Sequence, residues 1–180
     1  MTDVMTKEQL IDALRSSGQK VTATLPRISE SDLERGRYEN GWNGRQILAH
    51  IASIEWTYPR LIDLARGTPA ERPAAPTSAA TRPAPTSAGQ PGMASGSPQI
   101  LGYNDRQVEK RAGASVSELI AEFEKNRAAT IAAVGGADES LLSKEITSAG
   151  GAQGPLATVF NFVAVLHVLD HLADITGEKK

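Results

Sequence analysis

The sequence predicts an all-α protein, an antiparallel four-helix bundle with a long Pro-rich connection between its second and third helices. Three observations predict it. Apolar residues recur at helical spacing in four separate stretches. Helix-start signals stand in front of those stretches. No stretch alternates apolar with polar residues as a half-buried strand would. The chain has 180 residues, 40% of them hydrophobic, which suits one domain with its own core better than two. Residues 1–180 are therefore read as a single domain.

The first helix opens at Thr6-Lys7-Glu8-Gln9, a capping box, and carries Leu10, Leu14, Val21 and Leu25 on one face until Pro26 stops it. A polar stretch, SESDLERGRYENG, has room for one short helical turn. Asn43 with Gln46 forms a second cap. Ile47, His50, Ile51, Ile54, Tyr58 and Leu61 then trace one face of a helix reaching to about Arg66. Pro59 is expected to bend it and to leave the Glu55 carbonyl without its usual donor. The tract from Gly67 to Pro98 holds seven of the ten prolines and no Val, Ile, Leu, Phe, Tyr or Trp. It cannot bury enough apolar surface to offset the entropy of ordering it, so it reads as a long loop.

Tyr103 to Arg111 is polar and charged, with no element assigned to it. Ser115-Val116-Ser117-Glu118 is a capping box, and the helix it opens carries Ile120, Phe123, Ile131 and Val134 until Gly135-Gly136. A short segment from Glu139 to Lys144 and a Gly-rich turn follow. Gly154-Pro155 then puts a proline at the first position of the last helix. That helix, Leu156 to about Ile175, is apolar nearly all round, as a buried helix is.

The composition excludes several classes of function. A net charge of −2 and a pI near 5.9 leave no electrostatic footprint for nucleic acid. No apolar run reaches the roughly 20 residues of a membrane span, and MTDVMTKEQL does not read as a secretory signal. A cytoplasmic protein with no membrane and no nucleic-acid partner is expected. The chain has no cysteine, so neither a disulfide, a thiolate metal site nor a thiol nucleophile can come from it.

Its chemistry rests on three histidines, His50, His167 and His171. His167 and His171 are four apart on a helix, so both imidazoles can reach one ion. A third ligand from a facing helix would complete the three-protein-ligand set of an open catalytic site. The competing reading is a group of packed, hydrogen-bonded core histidines. Asp174 shares the face of the pair and is placed to support a ligand. Asp170 is placed to accept an N–H from a neighbouring helix or to sit in solvent. Arg127 lies on the inward stripe of the third helix, where it needs an anion, either a substrate carboxylate or a structural Asp or Glu. Trp42, Trp56, Tyr58 and Tyr103 are candidates to line a pocket or to fill the core.

The stretch Trp42-Asn43-Gly44-Arg45-Gln46-Ile47-Leu48-Ala49-His50-Ile51 resembles the second-helix signature of the DinB-like superfamily. That superfamily includes the mycothiol-dependent maleylpyruvate isomerases and the bacillithiol S-transferases. Its members place one histidine there and a His-x-x-x-His pair on the last helix, matched here by His167 and His171. Asn104-Asp105 and the helix from Ser115 resemble its third-helix region. The resemblance implies a four-helix bundle of the DinB-like type and a divalent metal, zinc or nickel, on His50, His167 and His171. It also implies activation of a low-molecular-weight thiol or of water, and the homodimer that many members form. The expected function is transfer of a cosubstrate thiol to a small electrophile. Hydrolysis by metal-activated water, and binding of a small molecule without turnover, are the alternatives.

Overall fold

A computed structural model describes residues 5–36, 41–67 and 98–178. Apart from its two end residues, the Pro-rich tract lies outside the described residues. The helices are α1 (Lys7–Thr24), α2 (Glu30–Leu33), α3 (Gly44–Glu55), α4 (Arg60–Arg66), α5 (Pro98–Glu109), α6 (Val116–Gly135) and α7 (Leu156–Thr176). Within α7, Asn161–Leu166 is π-helical. The all-α expectation holds for nearly all of the described chain, with one addition. Glu145–Thr147 (β1) pairs antiparallel with Gln153–Pro155 (β2), Ile146 facing Gly154.

The capping boxes form as the sequence predicts. Thr6, Asn43 and Ser115 each accept from the amide three residues on, and Gln9, Gln46 and Glu118 each return a bond to the cap amide. On α1, Leu10, Leu14 and Val21 are fully buried, as is Leu25 just beyond its end. On α6 the buried line is Leu119, Phe123, Arg127, Thr130 and Val134, while Ile120 and Ile131 are only half-buried. α1 packs against α6 and α7, and α3 packs against α5, α6 and the C-terminal part of α7.

Three local expectations are corrected. Pro59 ends α3 at Glu55 instead of bending a continuous helix, and α4 restarts at Arg60. As expected, the Glu55 carbonyl lacks its usual donor at Pro59; it accepts instead from the Tyr58 amide at 3.3 Å and the Thr130 hydroxyl at 3.4 Å. The polar segment around 103–111 belongs largely to α5, which buries Val108 against α3. Pro155 closes β2 and immediately precedes α7 instead of being its first helical residue.

The apolar residues form two layers. One gathers Leu10, Leu14, Tyr58, Leu61, Val134, Leu156, Phe160 and Ala164; the other gathers Val21, Leu25, Ile47, Ile51, Leu119, Phe123, Val168, Leu172 and Ile175. Between them, in sequence along α1, α3 and α6, fall the buried polar residues Ser17, Ser53, Glu55, Arg127 and Thr130. By length and composition α7 would be long enough to cross a membrane, with a mean hydropathy of 1.6, and half of it is buried within the protein. A core helix meets the same description.

Candidate metal centre

His50 comes from the middle of α3 and His167 and His171 from the C-terminal half of α7, two helices packed against each other. Cap and stripe together aim His50 inward. Asn43 fixes the start of α3, and Ile47 and Ile51 bury the same face. One potential ligand nitrogen from each of the three imidazoles lies within 4.8 Å of the other two. Nε2 of His50 and Nε2 of His167 are 3.4 Å apart. Two nitrogens bound to a tetrahedral zinc at 2.0–2.1 Å would be about 3.3–3.4 Å apart, so this pair is already at ligand spacing. The rings meet edge to face, with His167 and His171 centroids 4.4 Å apart and those of His50 and His171 5.1 Å apart.

The tautomers suit ligation. His171 Nδ1 lies 3.1 Å from Asp174 Oδ2. The carboxylate can only accept, so Nδ1 carries the proton and the Nε2 lone pair is left for an ion. Both residues are almost wholly buried. Burial, followed by the nearby His171 and His167, holds the His50 pKa well below 6.5, so His50 is neutral at pH 7. Its Nδ1 is buried with no hydrogen-bond partner among the described residues. Three imidazoles converging on one point fit a divalent cation by donor type, number and spacing.

The other predicted residues divide. Trp42 is half-buried with its ring 5.2 Å from that of His50. It also borders a groove of about 600 Å³ among the described residues, together with Asn43, Arg45, Gln46, Ala49, Asp105 and Val108. None of the three histidines lines the groove; Trp42 lies between it and His50. Asp170 is half-buried on α7, and Asp174 is the carboxylate hydrogen-bonded to the His171 imidazole. Tyr58 and Arg127 lie elsewhere. Tyr58 donates to the Val163 carbonyl at 2.6 Å, and burial pushes its pKa well above 10. Arg127, 4% exposed, donates to Leu14 O, Ser17 Oγ, Glu55 Oε2 and Ala164 O at 2.8–3.1 Å. Of the two anions expected for Arg127, the structure supplies the protein's own Glu55. Trp56 is at the surface beneath the Arg60 guanidinium, 4.3 Å from its ring centre.

Sequence reasoning missed Glu55. Its signal was present, because Glu55 continues the Ile47, Ile51 line at the next four-residue step and so had to be buried. Burial pushes its carboxyl up to about 7 against the opposing pull of Arg127.

Comparison with curated proteins and with solved structures gives no significant match. A family model described as the DinB superfamily matches residues 13–175, a span that takes in His50, His167 and His171. The chain thus belongs to the DinB superfamily.

Proposed function

We propose that this protein is a divalent-metal-dependent enzyme, with zinc or nickel on His50, His167 and His171 of a four-helix bundle. It would transfer a low-molecular-weight thiol to a small electrophile. The observation that carries the reading is the convergence of three imidazoles, with Asp174 fixing the tautomer of one of them. A bound divalent ion supplies Lewis acidity and lowers the pKa of a thiol or water at its open position.

The chain's own residues do the rest. Three neutral donors leave the charge of the ion undiminished, which favours an anionic nucleophile. Asp174 holds the His171 ring in place and raises its basicity. Trp42 packs on the His50 side and offers an apolar wall to a substrate in the groove. Without a cysteine in the chain, the thiol must arrive as a cosubstrate. Arg127 is engaged within the core, so the cations that border the groove, Arg45 and Arg111, are better placed to meet an anionic cosubstrate. Each is held by a carboxylate, Arg45 by Glu34 and Arg111 by Glu122.

The test begins with metal content by plasma mass spectrometry on untagged protein beside His167→Ala. About one ion per chain, lost in the variant, is expected for an open three-histidine site. Loss of free thiol with a small electrophile, dependent on the metal and on His167, would support the transferase reading. Ester or amide hydrolysis without thiol would replace it with hydrolysis. Stoichiometric binding without product would replace both.

A further inference from the structure

α7 is apolar nearly all round; one line of its buried residues runs Leu156, Phe160, Ala164, Val168, Leu172, one in every four, with Ala157, Val159, Val165, His171, Asp174 and Ile175 buried beside it. An α-helix cannot hold such a line on one side. Each four-residue step overshoots a turn by about 40°, and over this span the line would wander to nearly the opposite face. The π-helical segment Asn161–Leu166 removes the excess by admitting extra chain into the turn, and the His167 amide bonds back five residues to Phe162 O. His167 follows that segment directly. Taking one residue out of it would rotate everything beyond by about 100°, carrying both imidazoles away from His50.

Widening a helix loosens its carbonyls from their amides, and here two are held from outside. Val163 O accepts from the Tyr58 hydroxyl at 2.6 Å and Ala164 O from the Arg127 guanidinium at 2.8 Å. Both donors are rigidly mounted. Tyr58 sits in the break between α3 and α4 that Pro59 creates. Arg127 reaches from α6 past Gly18, where a Cβ would stand 3.4 Å from its Cγ, and is gripped by Leu14 O, Ser17 and Glu55. Three helices thus close on the wide turn just before the histidine pair.

We propose that Tyr58 and Arg127 are positioning residues for the histidine centre. By holding the carbonyls of Val163 and Ala164 they maintain the π-helical segment, and that segment sets the direction of His167 and His171. The inference rests on the metal-binding reading above. It assigns neither residue to substrate.

The test is cobalt(II) titration of wild type, Tyr58→Phe and Arg127→Lys, following the visible ligand-field band, with zinc affinity measured by chelator competition. Tyr58→Phe keeps the ring and removes the donor. Arg127→Lys keeps the charge opposite Glu55 but cannot reach all four acceptors. Both should bind metal roughly tenfold or more weakly, the scale seen when a group orienting a ligand is lost. Their band should also change in shape or intensity, while far-ultraviolet circular dichroism stays that of the folded protein. If Arg127→Lys does not fold, Tyr58→Phe alone decides. Wild-type affinity and an unaltered band in Tyr58→Phe, with only a lower melting temperature, would overturn the inference and leave the metal reading standing. A wild type that binds no cobalt or zinc would overturn both.

Discussion

Replacing Arg127 with Met strands the Glu55 carboxyl, which is wholly buried, and leaves Leu14 O, Ser17 Oγ and Ala164 O without a donor that each now has. Removing one partner of a buried pair costs about 3–5 kcal/mol, mostly from the unpaired charge left behind. That cost depends on pH, because Glu55 can escape it by taking a proton. Its carboxyl already titrates near 7 with Arg127 present, and losing the cation moves it higher. At pH 8, one unit above the Glu55 value, protonation limits the pH-dependent part to about 1.4 kcal/mol, so the loss should be about 2.5–3.5 kcal/mol. At pH 5 Glu55 is neutral in both proteins, and about 1–2 kcal/mol remains for the lost hydrogen bonds. The assay is urea unfolding of chelator-treated protein. With a slope of about 2 kcal/mol per molar urea, the midpoint should fall by about 1.2–1.7 M at pH 8 and about 0.5–1 M at pH 5. Glu55→Met with Arg127→Met should recover part of the loss, since no charge is then stranded. A loss equal at both pH values, or a double variant as unstable as the sum of the singles, would refute this account of the pair.

Three further outcomes follow from the same geometry. A carboxyl raised in the folded state binds more protons there than when unfolded, so Glu55 makes stability fall as pH rises from about 4.5 to about 7, by up to roughly 3 kcal/mol. Glu55→Gln should lack that slope, read as the difference between the two urea-stability profiles. Asp174→Asn should weaken zinc binding about 10–100-fold in chelator competition, because an amide can present its N–H to His171 and favour the wrong tautomer; unchanged affinity would mean that Asp174 does not set it. Ser115→Ala removes the cap of α6 and should cost about 1 kcal/mol, or about 2–4 °C in calorimetric melting temperature.

Much of the fold was legible because its signals are local. Thr6, Asn43 and Ser115 announce their helices through bonds only three residues long, and the buried lines of α1 and α3 follow the helical period. The hairpin was not legible, since three residues per strand give no period to detect and only Ile146 is buried in β1. α5 was hidden for a related reason: it covers the outside of α3, so a single face with Val108 suffices and the rest stays polar. At the histidine site, the spacing of His167 and His171 indicated a pair, and Asp174 three residues on indicated its support. Which anion faces Arg127 is a long-range fact, with Glu55 and Arg127 far apart in sequence and joined only by packing. Local pattern can say that both are buried; it cannot say that they meet.

The position of that pair explains why a helical protein would keep charges in its core. Apolar layers alone are permissive, because one Leu face slides past another at little cost and a helix apolar on most sides can settle at several rotations. α7 is such a helix. Ser17 on α1, Glu55 on α3 and Arg127 on α6 bring three helices to one point, and Arg127 extends the grip to Ala164 on the fourth. A helix shifted by a turn or rotated by one residue leaves a guanidinium or a carboxylate unpaired, a cost of several kcal/mol that no apolar contact would impose. The two apolar layers supply burial on either side, and the polar group between them selects one register. His50 lies five residues before Glu55, and His167 three residues after Ala164. The histidines thus inherit their alignment from the neighbouring layer, and an ion need not create it.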